Sequence, residues 1–322
     1  MSKAFLIAAS VATVNAASLY TEDVQSQKFM FNQFKSEYHK TYEVNEENSK
    51  FGNFINNLKL VDERNTAEAG SAIHGITRFS DLSQDEFKTR YLNAKSSADS
   101  KSTLKNVVDH VDAVNGTSAV DWTGIYTTPV KDQGYCGSCW AFSATEQLES
   151  DAMRVLSSSY ILSAEQTNQC TPYKFGGGCG GGLTETAFDY IKDDYPYTAS
   201  TYAGKTGDCD VNTRDDVVTL TDYTTIRGET NMANYMLATG PLSVCVAAEV
   251  WNTYRSGIMS TCPGGVDHCV QAVGVDTGVN GYWKVRNSWG TSWGESGFIR
   301  LTYGSDTCQI TDDPIWVAPK FV

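Results

Sequence analysis

The sequence contains few basic residues, few histidines and a single long apolar run. Its 322 residues include 25 lysines and arginines against 38 aspartates and glutamates, which gives a formal net charge of −13. Because an acidic surface repels phosphate groups, this balance argues against nucleic acid or an anionic membrane as a partner. No apolar run beyond the N-terminus is long enough to cross a bilayer, so we expect the mature product to be soluble.

The one long apolar run lies at the N-terminus, directly after Lys3, and extends to Val14. Small residues follow it at positions where a signal peptidase cleaves, and the run is too short to span a bilayer. The pattern predicts a secretory signal over residues 1–16; the alternative is a buried N-terminal helix. The secretory pathway permits disulfides among the nine cysteines.

A glycine-flanked cysteine, Cys139, stands where small residues give way to an apolar, helical pattern. This places Cys139 at or near a helix N-terminus, where unpaired N–H groups and the helix dipole favour a thiolate, the form that acts as a nucleophile. Cys136 and Cys139 also form a C-x-x-C pattern, so a zinc-binding or redox pair is an alternative. The sequence has no second C-x-x-C, and no predicted strand directly precedes this one, which disfavours both alternatives.

The run Cys136-Gly137-Ser138-Cys139-Trp140 resembles the segment around the nucleophile of the papain-like cysteine peptidases. His268 and Asn287 follow Cys139 at about 130 and 150 residues, as in that family. The segment 287–298 is similar to the block around the family's asparagine. The resemblance implies an α+β fold of two lobes, a helical left lobe and a β-barrel-like right lobe, with a cleft between them.

The pattern along the chain agrees with such a fold. It predicts a long helix from Cys139 to Leu156, and Ser163 is a candidate N-cap for a second helix that reaches Cys170. Later segments are short, β-branched or aromatic, and alternate with turns, which indicates strands. We expect strands at Val217–Tyr223, Leu242–Ala248, Val270–Val275, Tyr282–Arg286 and Gly297–Tyr303.

Residues 18 to about 65 predict two amphipathic helices. The first has aromatic residues at spacings of mostly three and four: Phe29, Phe31, Phe34, Tyr38 and Tyr42. The second resembles the inhibitory pro-region of the cathepsin L-like branch. Its interval motif aligns with Glu46, Lys50, Phe54, Asn57, Val61 and Asn65, where Lys50 replaces an arginine and Val61 an isoleucine. A second pro-region motif aligns with Gly75, Thr77, Phe79 and Asp81, where Thr77 replaces an asparagine. The resemblance implies a propeptide that occupies the substrate cleft until acid loosens it.

These features divide the chain into a signal peptide (1–16), an inhibitory propeptide of the I29 type (17–115) and a papain-like peptidase domain (116–322). The segment 96–106, rich in serine, lysine and aspartate, is typical of an exposed linker that proteases cut. We expect the mature chain to begin between Asp112 and Ala119. Asn115 opens an Asn-Gly-Thr sequon in this junction and is a candidate glycosylation site.

The resemblance assigns chemical roles to a few residues. Cys139 is the candidate nucleophile and His268 its base, and the two are expected to rest as a thiolate–imidazolium pair. Asn287 would hold the imidazole in orientation, and Gln133 would stabilise the oxyanion together with the Cys139 backbone N–H. Trp289 would shield the bond between Asn287 and His268 from water. The alternatives are structural: an inert buried cysteine, a core histidine, a turn asparagine and packing residues.

The resemblance also implies a set of substrate-binding residues. Gly181 and Gly182 would pair with the substrate backbone, while Leu183 and Thr184 would line the main specificity pocket, S2. Asp313 would form its floor and add tolerance of lysine or arginine at substrate position P2 to an apolar preference; the alternative is that Asp313 points to solvent. The other expected contacts are Cys245, Asp267, Cys269 and Trp289.

Cysteine pairing is likewise implied by the resemblance. The family pattern would join Cys136 to Cys179, Cys170 to Cys209, and Cys262 to Cys308, at about 2–4 kcal/mol of stabilisation for each bridge. With Cys139 reserved for catalysis, Cys245 and Cys269 remain, either as free thiols that narrow the specificity pocket or as a fourth bridge. We expect free thiols.

The predicted function is that of a cysteine endopeptidase, made as a zymogen, which hydrolyses peptide bonds through an acyl-thioester on Cys139. The predicted location is the secretory pathway, ending in a lysosome or vacuole or outside the cell. Expected partners are protein and peptide substrates, the chain's own propeptide and cystatin-type inhibitors. We expect the enzyme to be a monomer and to need no metal or cofactor. The alternative is a catalytically inactive relative that binds peptides or inhibits proteases, which the complete set Cys139, His268, Asn287 and Gln133 disfavours.

Overall fold

The computed structural model describes residues 18–94, 106–172, 177–192, 197–198, 209 and 216–322. The predicted signal (1–16) and nearly all of the predicted linker (96–106) lie outside the described residues. The described chain forms an N-terminal helical unit, a helical lobe and a strand-rich lobe, each with its own apolar cluster. This confirms the predicted α+β fold class.

The N-terminal unit is mostly helical. Its elements are α1 (Val24–Glu37), α2 (Glu47–Glu68), β1 (Ala72–His74) and α3 (Gln84–Tyr91). The side chain of Asp23 caps α1, and Ser83 with Glu86 forms a capping box on α3. The core between α1 and α2 contains Phe31, Phe34, Phe54 and Leu58. Phe29, which the aromatic pattern had placed on this face, is 63% exposed, because residues two apart do not share a helix face.

The helical lobe is built around one long helix. Its helices are α4 (Cys139–Leu156), α5 (Ala164–Cys170) and α6 (Thr184–Lys192). Ser163 accepts a hydrogen bond from the N–H of Gln166 at the start of α5, which is the predicted cap. Trp140 and Leu148 of α4 pack with Phe188 of α6 in the core of this lobe.

The remaining elements are mainly strands. They are β2 (Val107–Val108), β3 (Ala119–Asp121), β4 (Tyr197–Thr198), β5 (Asp216–Ile226), α7 (Glu229–Ala238), β6 (Leu242–Val246), β7 (Tyr254–Met259), β8 (His268–Asp276), β9 (Tyr282–Arg286), β10 (Phe298–Thr302) and β11 (Asp312–Phe321). Hydrogen-bonded neighbours follow the order β1, β7, β10, β9, β8, β6, β11, β5, β2. The five predicted strands are present, Tyr282–Arg286 with the predicted ends and the other four with shifted ends, whereas β7, β11 and α7 were not predicted.

The central helix of the helical lobe packs directly against the strand-rich lobe. The hydroxyl of Ser143 on α4 donates to the carbonyl of Val270 on β8 at 2.7 Å and lies 2.8 Å from the hydroxyl of Ser243 on β6. Nearby, the buried guanidinium of Arg286 lies 3.4 Å from the carboxylate of Glu146. A buried charge needs such a partner, since leaving it unpaired costs about 3–5 kcal/mol. These contacts hold the first turns of α4 beside β6 and β8.

The N-terminal unit docks on the strand-rich lobe at several places, which include a strand pair and an aromatic cluster. β1 pairs with β7 in antiparallel register. The rings of Phe79, Phe87 and Tyr91 surround Trp289, with centroid distances of 5.3, 5.3 and 6.2 Å. The chain leaves this aromatic cluster after α3 and enters the space between the two lobes.

Four disulfides are formed. Three are the expected pairs: Cys136–Cys179, Cys170–Cys209 and Cys262–Cys308. The fourth joins Cys245 to Cys269, so the expectation of two free thiols is wrong. These two residues lie directly opposite each other on antiparallel strands β6 and β8, with their Cα atoms 4.0 Å apart, and closely opposed positions of this kind bring two sulfurs within bonding range. Cys139 is the one free cysteine.

Candidate active site

Cys139 is the first residue of α4 and is fully buried. It packs in a small cluster with Cys245, Cys269 and Ala94, the last of which belongs to the N-terminal unit. Burial raises the pKa of the thiol to about 12, and the backbone N–H groups of Cys269, Trp140 and Ala94 offset this only in part. The helix N-terminus predicted from the sequence is present, but in this covered state the sulfur carries its proton.

His268 is the first residue of β8 and is also fully buried. Its Nε2 lies 2.7 Å from Oδ1 of Asn287, which fixes the ring orientation. Its Nδ1 has no hydrogen-bond partner within the described part of the chain. The indole of Trp289 stacks on the imidazole at a centroid distance of 4.8 Å. Burial lowers the pKa of His268 to about 4, although the hydrogen bond to Asn287 acts to raise it.

The thiol and the imidazole are therefore both neutral near neutral pH in this structure. The predicted thiolate–imidazolium pair requires solvent or polar groups to stabilise two charges. Both side chains are fully buried, and Ala94, from the covering segment 91–94, packs against Cys139. Burial of both groups therefore disfavours the predicted ion pair in the covered form of the protein.

Gln133, the predicted oxyanion donor, is engaged by the covering segment. Its side-chain amide donates to the carbonyl of Tyr91 at 3.0 Å and to the carbonyl of Cys136 at 2.8 Å. Its side-chain oxygen accepts from the hydroxyl of Ser288 at 2.6 Å. The amide is thus held in a fixed orientation, and one of its protons points at a backbone carbonyl that lies in the cleft.

The residues after α3 run through the cleft from one lobe to the other. The N–H of Ala94 donates to the backbone carbonyl of Asp267 at 2.9 Å. The carbonyl of Asn93 lies so close to Gly181 that a Cβ on this glycine, which has φ +93°, would be 1.8 Å from that oxygen. Gly181 and Asp267, both predicted substrate contacts, therefore meet a peptide backbone here.

Four other predicted pocket residues, Gly182, Leu183, Thr184 and Asp313, are buried in this structure. Gly182 packs on the indole of Trp140, where a Cβ would lie 2.8 Å from the ring, so its lack of a side chain serves packing in this structure. Leu183 is buried. Thr184 donates to the carboxylate of Asp313 at 2.8 Å, and both residues are buried, so Asp313 does not point to solvent here.

One charged residue of this region was missed by the sequence analysis. Glu185 is buried beside Asp313, and burial together with the Glu185 carboxylate raises the pKa of Asp313 well above its ordinary value. Glu185 lies in the first turn of α6, where an acidic side chain is favourable for the helix itself, so the sequence did not indicate a place in the pocket. Only the packing of α6 against β11 brings the two carboxyl groups together.

The C-x-x-C alternative fails on the pairing of its first cysteine. Cys136 is bonded to Cys179 and not to Cys139. Within the described residues, no group of histidines, cysteines and acids is arranged to hold a metal ion. A redox or zinc site at Cys136 and Cys139 is therefore not supported.

The two lobes, the buried thiol and the amide-held imidazole between them define a cysteine-type hydrolase that is covered by its own N-terminal segment. The family model described as papain family cysteine protease matches residues 116–318. The model described as cathepsin propeptide inhibitor domain (I29) matches residues 31–87. Among the described residues, no helix is long and apolar enough to cross a bilayer.

Known proteins resemble the chain over most of its length. Cathepsin L 2 of Paramecium tetraurelia is 34% identical over 316 residues, which cover 92% of this chain and 96% of the relative. Cysteine proteinase B of Leishmania mexicana is 34% identical over 307 residues, 89% of this chain and 68% of the relative. The structure of the recombinant stem bromelain precursor superposes with a TM-score of 0.79 at 29% identity, covering 91% of this chain and 98% of that one. Digestive procathepsin L 3 of Tenebrio molitor larval midgut also gives a TM-score of 0.79, at 26% identity, with 91% and 99% covered.

The chain belongs to the papain family of cysteine proteases. It is a cathepsin L-like cysteine peptidase with an I29 propeptide that acts as an intramolecular inhibitor, as the sequence predicted. The papain-like two-lobe fold is confirmed as well.

Proposed function

We propose that the protein is an endopeptidase that hydrolyses peptide bonds through an acyl-thioester on Cys139. The observation that carries this proposal is the geometry of His268, whose Nε2 is held by Asn287 at 2.7 Å while Nδ1 is left without a partner in the described structure. Cys269, the residue after His268, packs against Cys139. The Nδ1 atom of His268 therefore lies at the end of β8 that is next to Cys139.

The proposed reaction follows from these positions. His268 takes the thiol proton, and the sulfur of Cys139 attacks the carbonyl carbon of the substrate. The amide of Gln133 and the N–H of Cys139 stabilise the negative oxygen that forms, and His268 then protonates the departing amine. Water, activated by the same imidazole, hydrolyses the thioester and restores the thiol.

We further propose that the propeptide, residues 17–115, blocks this reaction in the peptidase domain, residues 116–322. The support is that the carbonyl of Tyr91 uses the amide of Gln133, and Ala94 covers Cys139. The processing site would lie between Asp112 and Ala119. Asn115 is exposed in that junction, which is compatible with glycosylation along a secretory route to a lysosome, a vacuole or the outside of the cell.

Acid treatment of the purified full chain tests this proposal. We expect the wild type to lose about its first hundred residues and to gain peptidase activity, whereas Cys139→Ser should do neither. Ser138→Ala is the matched control, because Ser138 makes no capping hydrogen bond at the same helix end. Equal processing of Cys139→Ser without added protease would contradict the proposal, and peptide binding without hydrolysis by the wild type would favour the inactive alternative.

Asp313 supports a second, finer part of the proposal, tolerance of arginine or lysine at P2. Because burial raises the pKa of this carboxyl, it is protonated in acid and becomes an anion only as the pH rises. The preference for P2 arginine over P2 leucine should therefore grow with pH in the wild type and vanish in Asp313→Ala. Equal ratios in both proteins at every pH would exclude a role for Asp313.

A further inference from the structure

The Cys245–Cys269 bridge lies at the centre of the candidate site. Both cysteines are buried, and they pack in one cluster with the nucleophile Cys139 and with Ala94 of the propeptide. Cys269 directly follows the base His268 on β8, and its backbone N–H faces the sulfur of Cys139. A covalent cross-link thus adjoins both reacting side chains.

The bridge also borders the place where a substrate side chain would lie. Ala94 is held over the bridge by the bond from its N–H to the carbonyl of Asp267. On the far side, Cys245 is in register with Asp312 of β11, the neighbour of Asp313, which in turn accepts from Thr184. The bridge therefore packs directly against the nucleophile and under Ala94, and Cys245 lies on β6, the strand that pairs with the Asp313-bearing strand β11.

We infer that the Cys245–Cys269 bridge is a specificity-determining wall whose redox state sets the size of the P2 side chain that the site accepts. This inference rests on the proposed peptidase function. In a disulfide the sulfur atoms are about 2 Å apart, whereas two thiols must separate to about 3.5–4 Å, the distance of van der Waals contact. Opening the bridge therefore forces at least one sulfur to turn and changes the shape of the wall.

A dithiol such as dithiothreitol can open the bridge by thiol–disulfide exchange. One thiolate of the reductant attacks a bridge sulfur and forms a mixed disulfide, and its second thiolate then closes a cyclic disulfide. The bridge gains two electrons and two protons, and the reductant loses them. Ala94 covers the bridge in the zymogen, so this reaction should proceed faster in the processed enzyme than in the full chain.

The test compares the processed wild type with the double variant Cys245→Ala, Cys269→Ala. Peptides that differ only at P2, alanine against phenylalanine, are assayed for kcat/KM in a monothiol buffer, after mass spectrometry of alkylated protein shows a reduced Cys139 and an intact bridge. We expect the phenylalanine-to-alanine ratio to rise about tenfold in the double variant, the discrimination that a methylene-sized difference gives in an apolar pocket. The matched control is Cys170→Ala with Cys209→Ala, which removes a bridge that is not in the cluster around Cys139 and should leave the ratio unchanged.

Reduction of the wild type provides an independent measurement that does not depend on a variant folding. Dithiothreitol should shift the wild-type ratio, reoxidation should restore it, and the double alanine variant should not respond. A ratio that stays constant through reduction and reoxidation overturns the inference, as does labelling that finds Cys245 and Cys269 free in the oxidised processed enzyme. Absence of all hydrolysis by the wild type would instead refute the proposed function on which the inference rests.

Discussion

At the scale of single residues, the chemistry of the site is governed by how completely each polar side chain is removed from water. The same two residues that were expected to form an ion pair are neutral here, since burial raises the pKa of Cys139 and lowers that of His268. Gln133 is held in place from both ends, by Ser288 and by two carbonyls. The bonds to Ser288 and to the carbonyl of Cys136 do not involve the propeptide, so they orient the amide without it.

This preorganised amide leads to a prediction for the processed enzyme. Gln133→Ala should lower kcat by about 10²–10³, because one donor to the oxyanion is lost, with little change in KM. Ser288→Ala keeps the amide but removes the hydroxyl that binds the side-chain oxygen of Gln133, so it should lower kcat by less. Steady-state kinetics on one peptide measures kcat and KM for both variants. A Gln133→Ala enzyme with wild-type kcat would mean that Gln133 does not stabilise the oxyanion.

At the scale of elements, the strand pair β1–β7 is the joint between the propeptide and the peptidase domain. His74, the last residue of β1, is buried at this joint, and its Nδ1 lies 2.8 Å from the hydroxyl of Thr253. Burial lowers the pKa of His74 to about 4; the nearby guanidinium of Arg64 lowers it further, and Glu68 acts in the opposite sense. Arg64 itself donates to Asn252 and Thr253 across the same joint.

The sign of the pH effect follows from that lowered pKa. Between the ordinary pKa of about 6.5 and the bound value of about 4, a released His74 binds a proton that the docked His74 does not. Docking is therefore weakened as the pH falls through this range. Asp267, whose pKa burial raises to about 7, has the opposite effect if release exposes it to water, so a variant is needed to isolate His74.

His74→Gln removes the titrating group and keeps a polar partner for Thr253. We expect the midpoint pH of self-processing to fall by about half to one unit, since more acid is then needed to loosen the propeptide. The matched control is His110→Gln, which changes an exposed histidine of the propeptide and should leave the midpoint unchanged. An unaltered midpoint in His74→Gln would show that His74 does not sense the acid.

At the scale of the whole molecule, two lobes and a covering segment enclose Cys139, the proposed nucleophile. Cys139 lies at the end of a helix of one lobe, and His268 begins a strand of the other. The segment 91–94 bridges them, with bonds to Gln133 and Asp267 on opposite sides of the cleft. The segment that buries the thiol of Cys139 thus also favours its protonated form.

Alkylation of Cys139 tests this coupling directly. At neutral pH the full chain should react with iodoacetamide at least about two orders of magnitude more slowly than the processed enzyme, because its thiol is both buried and protonated. Mass spectrometry of the labelled peptide gives the rates, and the unfolded full chain serves as the reference for an exposed cysteine. Equal rates for the full chain and the processed enzyme would show that the propeptide does not protect the thiol.

Much of the fold could be predicted because its signals are local. The helix that begins at Cys139 and the strand Tyr282–Arg286 appear as the pattern indicated. β11 was missed because Pro314 and Pro319 lie within it, and proline normally argues against a strand; here register shifts between Asp312 and Ile315 and between Ala318 and Pro319 accommodate both. The pattern of a single segment does not report such irregular pairing.

What the sequence by itself determined are the identities and order of the candidate reactive groups, because Cys139, His268, Asn287 and Gln133 stand in motifs that can be recognised along the chain. What only the tertiary structure decided is the state of those groups: the neutral thiol under Ala94, the bond between Cys245 and Cys269, and the inward direction of Asp313 toward Thr184. Protonation, cross-linking and burial depend on which distant residues meet and on how much water they exclude, and spacing along the chain does not fix either quantity.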